Sequence, residues 1–181
     1  MNAGLRQCRA AIVARMDPDD VMLPPRLDRQ LAYLAEHPEV DILGAQIEVF
    51  DDATGKSLRR TNHAAVVTDE LIDGQASARN IWFLNHPTVM FRKASLERIG
   101  GYPEQYRYAE DLACWLTARR AGLVIHNLPE VLVRYRHHPA QIGSRPETVR
   151  QRVAIVRALT AEWTIKKPLQ MGAEHLQGQK R

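Results

Sequence analysis

The chain has 181 residues, 45% of them apolar and 25% charged, with 25 Lys and Arg against 21 Asp and Glu. That length holds one domain and hardly a second, and the mix is globular rather than disordered, collagenous or coiled-coil. No wholly apolar run exceeds five residues, where roughly 20 are needed to span a bilayer, and the opening residues lack the form of a secretory leader. Two lone cysteines, Cys8 and Cys114, make neither a disulfide framework nor a zinc site, so a reducing cytoplasm is the expected compartment.

In chain order, Ala10 to Met16 reads as a short buried strand that stops at an acidic loop, Asp17-Pro18-Asp19-Asp20. Pro24 and Pro25 open a helix in which Leu27, Leu31 and Leu34 recur at helical spacing, and His37-Pro38 closes it. Val40 to Phe50 is a strand ending at the turn Asp51 to Gly55, with a second, polar strand after it. Thr68 to about Ala78 is a helix capped by Thr68, and His86 to Phe91 is another strand. Ala94 to Ile99 is a short helix stopped by Gly100-Gly101, and Glu110 to Ala121 is a helix closed by Gly122. Leu123 to Asn127 and Val131 to Arg136 read as two further strands. Strands alternating with helices, plus one hairpin, predict an α/β domain with a mixed sheet.

The charge is concentrated at one end. Residues 1–144 carry a net charge of −1 and residues 145–181 a net charge of +5, so the pI near 9.3 belongs to the tail. Val149, Val153, Val156, Leu159 and Trp163 recur every three or four residues, which predicts an amphipathic helix with Arg150, Arg152 and Arg157 off its stripe. Such a helix packs on its parent domain or lies on an anionic membrane surface, and the first is favoured here. A nucleic-acid role is a lesser option, because the tail lacks interleaved aromatics and any reader motif. Beyond Pro168 the chain reads as a frayed end.

Three polar clusters carry candidate chemistry. Crowded carboxylates in the loop Asp17, Asp19 and Asp20 repel one another and call for a cation: Mg²⁺ or Mn²⁺ takes one or two carboxylates and completes its shell with phosphate oxygens and water. The plain alternative is that Asp19 or Asp20 only caps the following helix. Glu110 and Asp111 open the helix bearing Trp115; acids are favoured there by the helix dipole, which also predicts a lowered pKa, and either could serve as a general base. Tyr135-Arg136-His137-His138, followed by Gln141 and Ser144, offers a histidine to complete an acidic metal loop, although adjacent histidines are more often surface residues. His86, before Pro87, reads as structural.

Taken in order, the stretches ARMDPDD, PPRLDRQLAYLAEHPEVDILG, NHPTVMFRKASLERIGGYPEQYRYAEDLACWL and LPEVLVRYRHHPAQ resemble the nucleotide-sugar glycosyltransferases of family 2, over about Asn2 to Ser144. The resemblance implies a GT-A fold, a divalent metal (Mg or Mn), and inverting transfer of a sugar from a nucleotide-sugar donor to an acceptor hydroxyl. It implies Asp19 as the main metal ligand, Asp17 toward the ribose and metal, and Asp20 completing the donor-binding loop. It places the family's Glu-Asp motif on Glu110 and Asp111, with Asp111 as the base, and its Tyr-Arg-x-His histidine on His138 as a further metal or diphosphate contact. The acid that many relatives carry two residues after the base is Ala113 here.

Only 16 residues precede Asp17, whereas a βαβ unit alone takes roughly 30 or more. The expected architecture is therefore a partial transferase domain, 1–144, lacking its front nucleotide-binding strands, followed by a basic helix and tail, 145–181. Two readings stay open: a transferase that acts on a glycan, lipid-linked or protein acceptor, or a non-catalytic module that pairs with a partner chain. An exposed sheet edge would favour self-association, and the basic tail would allow peripheral contact with the inner membrane face.

Overall fold

The computed structural model describes residues 1–77, 81–142 and 145–165, with the side chains of 77 and 161–165 outside that set. Its elements run α1 (Asn2–Gln7), β1 (Ile12–Ala14), β2 (Val21–Met22), α2 (Arg26–Glu36), β3 (Ile42–Asp51), β4 (Ser57–Arg60) and α3 (Asp69–Ser77). They continue with β5 (Met90–Arg92), α4 (Lys93–Arg98), α5 (Glu110–Arg120), β6 (Ile125–His137) and α6 (Pro146–Ile165). The strands form one mixed six-stranded sheet in the order β1-β5-β3-β6-β2, with β4 also on β3. β3 and β6 are the parallel centre, and every other pairing is antiparallel. This is the α/β architecture that the alternating pattern predicted.

β3 is buried along nearly its whole length because it is flanked on both edges and covered on both faces. One edge meets β5 through Ile42 and Leu43, then β4 through Glu48 to Phe50. One face packs on α5 through Ile42, Phe91, Trp115, Leu116 and Ile125; the other packs on α2 through Leu34, Leu43 and Met90. Gly44 is required at the centre, since a Cβ there would run into Leu84 Cδ1 and Asn127 Oδ1.

Buried amides lace the layers together. Gln30 Nε2 donates to the carbonyls of Thr88 (2.8 Å) and Leu43 (3.2 Å), and Asn85 Nδ2 donates to that of Ala45 (2.8 Å). Arg92 closes the end of α2 by donating to the carbonyls of Leu34 (2.7 Å) and Val40 (2.9 Å). Arg26 is almost fully buried without a carboxylate partner: its guanidinium donates to the Arg15 carbonyl (2.7 Å) and to Gln30 Oε1 (3.0 Å), and burial lowers its pKa to about 10.

Several local expectations change. The strand after Ala10 is an edge strand, half-buried and only three residues long, because β5 covers one side of it alone. On α2 the inward face is Arg26, Gln30 and Leu34, while Leu27 and Leu31 are 40% and 44% exposed. The carbonyls of Arg15, Leu43 and Thr88 need donors at those points, and this outweighs the burial of two leucines. His86 to Thr88 forms a single 3-10 turn rather than the start of a strand. The two runs after Leu123 are one strand, because register shifts beside Gln46 absorb Pro129 outside the ladder. Thr68 caps α3 as expected, accepting from the Leu71 N–H (3.2 Å), whereas Ala78 lies outside the described residues.

The amphipathic helix packs on the body, but with its stripe rotated. Ile155 is wholly buried, and Val156 and Leu159 pack beside it, while Val149 and Val153 stand 53% and 43% exposed. Polar anchors set that rotation: Arg152 donates to the Ile81 carbonyl (3.0 Å), and Gln151 Oε1 accepts from the Tyr108 N–H. The Trp163 side chain, Ser144 and the tail from Lys166 lie outside the described residues. Among the described residues no helix is long and apolar enough to cross a membrane.

Candidate active site

The acidic loop hangs between β1 and β2, and β2 fixes its place. Val21 and Met22 pair antiparallel with Arg134 and Val133 of β6, so the loop residues preceding them lie along the end of β6. The Arg136 backbone N–H donates to Asp20 Oδ1 (2.8 Å), and its side chain donates to the Asp19 carbonyl (2.6 Å) and to Asp52 Oδ1 (2.6 Å). His138, just beyond β6, brings Nε2 to 3.2 Å from Asp19 Oδ2 across a sequence separation of 119 residues. Gln141 Oε1 holds the backbone of His138 by accepting its N–H (3.1 Å).

The three aspartates have different environments. Asp17 is gripped by the Arg15 guanidinium through both carboxylate oxygens, one of them at 2.7 Å. Asp20 is partly buried; its Oδ2 is enclosed and accepts no hydrogen bond among the described residues. Burial, reinforced by Asp17 and Asp19, pushes the Asp20 pKa up to about 6, although the Arg136 N–H and Arg15 pull the other way. Asp19 is the most exposed of the three at its carboxylate, and it faces His138.

Glu110 and Asp111 begin α5 after Ala109, which turns the chain in a left-handed conformation (φ 55°). Asp111 Oδ1 accepts from the Leu112 N–H (2.8 Å), and Oδ2 lies 3.7 Å from His86 Nδ1. The lowered pKa expected from the helix dipole is not found at either carboxylate. Burial raises Asp111, against the pull of the Leu112 N–H, Arg152 and Arg15; burial also raises Glu110, and the Asp111 charge adds to it. Desolvation here outweighs the partial charge of a helix end. Ala113 is fully buried in the core, so an acid in its place would face apolar neighbours.

His86, read from sequence as structural, faces the candidate base. Its Nε2 is 3.1 Å from the Tyr102 hydroxyl, and its ring packs edge-on against Trp115. Burial holds the imidazole well below its ordinary pKa, so it is neutral, and burial raises the Tyr102 hydroxyl, which stays protonated. We assign Tyr102 as donor to Nε2, which leaves Nδ1–H aimed at Asp111. Arg15 and Arg136 are the other residues that sequence reasoning passed over. Arg15 carried no signal beyond adjacency to the loop, whereas Arg136 lies inside the Tyr-Arg-His-His run.

The fold therefore joins Asp19 to His138 directly and Asp20 to them through Arg136. Glu110 and Asp111 make no direct contact with that group, but Arg15 shifts Asp20, Glu110 and Asp111 alike, so both clusters lie in one electrostatic field. Among the described residues no cluster of three or more His, Cys, Asp or Glu is arranged to hold an ion. Asp19 offers the carboxylate that a hard divalent cation takes alongside phosphate and water, and His138 beside it offers an imidazole nitrogen, a softer ligand than the oxygens such a cation prefers.

Residues 1–158 match the family model described as "Glycosyltransferase like family 2". The chain is 35% identical over 145 residues to the amylovoran biosynthesis glycosyltransferase AmsE of Erwinia amylovora, covering 80% of this chain and 52% of that protein. It is 31% identical over 141 residues to the UDP-Gal:alpha-D-GlcNAc-diphosphoundecaprenol beta-1,3-galactosyltransferase of Escherichia coli, covering 74% and 46%. It thus spans about half the length of the curated relatives it matches. Among solved structures it superposes on S. aureus TarS with a TM-score of 0.57 at 20% identity, covering 89% of this chain and 26% of that one. That likeness bears on the fold, a mixed sheet flanked by helices.

Proposed function

We propose that this chain, which belongs to the glycosyltransferase-like family 2, supplies the metal-diphosphate contacts and the catalytic base of an inverting sugar transferase. The observation that carries the reading is the pairing of Asp19 with His138, a carboxylate and an imidazole brought to 3.2 Å across 119 residues at the carboxyl ends of β3 and β6. Ligands in open α/β folds bind at that edge of the sheet. Asp19 and His138 would hold a divalent ion, Mg²⁺ or Mn²⁺, together with the donor diphosphate. When bound, that ion neutralises the departing diphosphate without a proton donor. Asp17, oriented by Arg15, lies toward the ribose and the ion, and the enclosed Oδ2 of Asp20 offers a further acceptor.

Asp111 takes the proton. The acceptor oxygen forms its bond to the anomeric carbon as the bond from that carbon to the diphosphate breaks, and the hydroxyl proton passes to Asp111. A raised pKa suits this role, because it brings the carboxylate's basicity nearer to neutrality. His86 Nδ1 faces the carboxylate, 3.7 Å from Oδ2, and the Asp111 charge in turn raises the pKa of Glu110 beside it. The donor is a nucleotide sugar and the acceptor a glycan or lipid-linked hydroxyl, as the names of the relatives suggest.

Calorimetric titration with UDP and Mn²⁺ tests the donor half. Binding should require the metal, disappear with a chelator, and weaken at least tenfold in Asp19→Asn and His138→Gln while Asp111→Asn leaves it intact. No metal-dependent binding at millimolar nucleotide would overturn the reading. In that case a tight complex on co-purification would favour the non-catalytic module instead.

A further inference from the structure

A second cleft, of about 690 Å³, lies between the chain leaving β4, helix α3 and Trp82. Its walls carry Arg59, Asn62, His63, Gln75 and Trp82 as well as one carboxylate, Glu70, and none of these takes part in the chemistry above. Trp82 is fixed at its base: its backbone N–H donates to Gln75 Oε1 (2.9 Å). The guanidinium of Arg59 sits over the indole, 4.9 Å from the ring centre, and His63 packs 5.9 Å from it. Among the described residues Arg59 forms no ion pair, whereas its neighbour Arg60 is held by Glu48 (3.2 Å). The Asn62 side chain makes no hydrogen bond among the described residues and is exposed.

We propose that this cleft binds the acceptor, and that the acceptor is a carbohydrate carrying an anionic group. The proposal rests on the transferase reading above. The anchored indole, with the Arg59 guanidinium over it, makes a mixed apolar and cationic wall against which a pyranose ring can pack, as ligand sites combine apolar walls with a few placed polar groups. Asn62 and the amide of Gln75 are short-range partners for ring hydroxyls. Arg59, which forms no ion pair among the described residues, is a fork suited to a phosphate or carboxylate, and the indole keeps it extended over the cleft.

The chain itself links this cleft to the base. His63 Nε2 is 3.2 Å from Asn85 Oδ1, and Asn85 is buried and bonded to the Ala45 carbonyl and to Thr61. Asn85 directly precedes His86, which faces Asp111. Four peptide steps from Trp82 to His86 span at most about 14 Å, so an acceptor seated on Trp82 lies within a short saccharide's reach of the base.

The test uses fluorescence and NMR titration of the chain with N-acetylglucosamine 1-phosphate, glucuronate, a neutral methyl glycoside and inorganic phosphate. The two anionic sugars should bind, and the neutral glycoside and inorganic phosphate should each bind at least about tenfold more weakly. Arg59→Gln, a surface change, should weaken the anionic sugars about tenfold, and Trp82→Ala should weaken all sugars, with melting curves checking its fold. UDP-Mn²⁺ binding, which depends on Asp19 and His138, should stay unchanged in both variants. Equal binding of phosphate and sugar phosphate would overturn the proposal in favour of a plain anion site. So would no sugar binding, or affinities indifferent to both substitutions. Loss of UDP-Mn²⁺ binding in the parent chain, with sugar binding kept, would instead defeat the donor reading alone.

Discussion

The neutrality of His86 has a measurable consequence for stability. Its pKa is held well below 6.5 in the folded chain, because its ring is enclosed by Trp115 and Tyr102 and feels the charges of Arg15 and the amino terminus. In the unfolded chain it returns to about 6.5. Between those two values the unfolded state binds the extra proton, so the stability from this group is fully present above about pH 6.5 and is lost as pH falls. The loss is slight at pH 7.5, where neither state holds the proton, and larger at pH 5.5, where the unfolded chain holds it and the folded chain resists it. Raised carboxylates such as Asp111 act in the opposite sense, since their folded forms bind the proton first, and His63 and His126 add to the histidine slope. The contribution of His86 is isolated by comparison with His86→Gln, whose amide still accepts from the Tyr102 hydroxyl. Urea unfolding of both chains at pH 7.5 and 5.5 should show the parent losing more stability than the variant, on the order of 1 kcal/mol, or a few °C in Tm. Parallel stabilities across that interval would refute the argument, because they would mean that His86 is charged or solvated in the folded chain.

Two further outcomes follow from the same structure. If Asp111 is the base, sugar transfer should decline on the acid side at a pH above the ordinary aspartate range, because the carboxylate must be ionised to act. Arg152→Gln, which removes a charge favouring ionisation, should move that limb higher still; a limb unmoved by Arg152 would exclude Asp111. On α6, Ile155→Ala should destabilise by about 2–4 kcal/mol in denaturant unfolding, while Val149→Ala and Val153→Ala stay within about 0.5 kcal/mol. The reverse order would restore the stripe expected from the sequence.

The legible parts of the fold were those whose signals are local. A buried run from Val40 to Phe50 forms β3 whatever surrounds it, Thr68 caps α3 through its own hydroxyl, and Gly100 and Gly101 stop α4 because both take positive φ (84° and 77°). Helix faces were less legible. Leu27 and Leu31 are outward and Arg26 and Gln30 inward because carbonyls of β3 and of the Arg15 and Thr88 segments need donors, and nothing within α2 reports those distant acceptors. The runs Leu123 to Asn127 and Val131 to Arg136 read as two strands, yet the register shifts of β3 let one strand carry Pro129 between them.

The site divides in the same way. The sequence by itself determined which residues are candidates for the chemistry: carboxylates at 17, 19 and 20, the Glu110-Asp111 pair, and a histidine run ending at His138. The tertiary structure alone decided that Asp19 meets His138, through the pairing of β2 with β6, and that His86 stands beside Asp111 rather than serving only the core. It also reversed the sign of the shift at Asp111, from the lowering expected at a helix start to a rise caused by burial. Side-chain identity is encoded residue by residue. Desolvation and contact across 119 residues arise only once the sheet has closed, and they decide what those side chains can do.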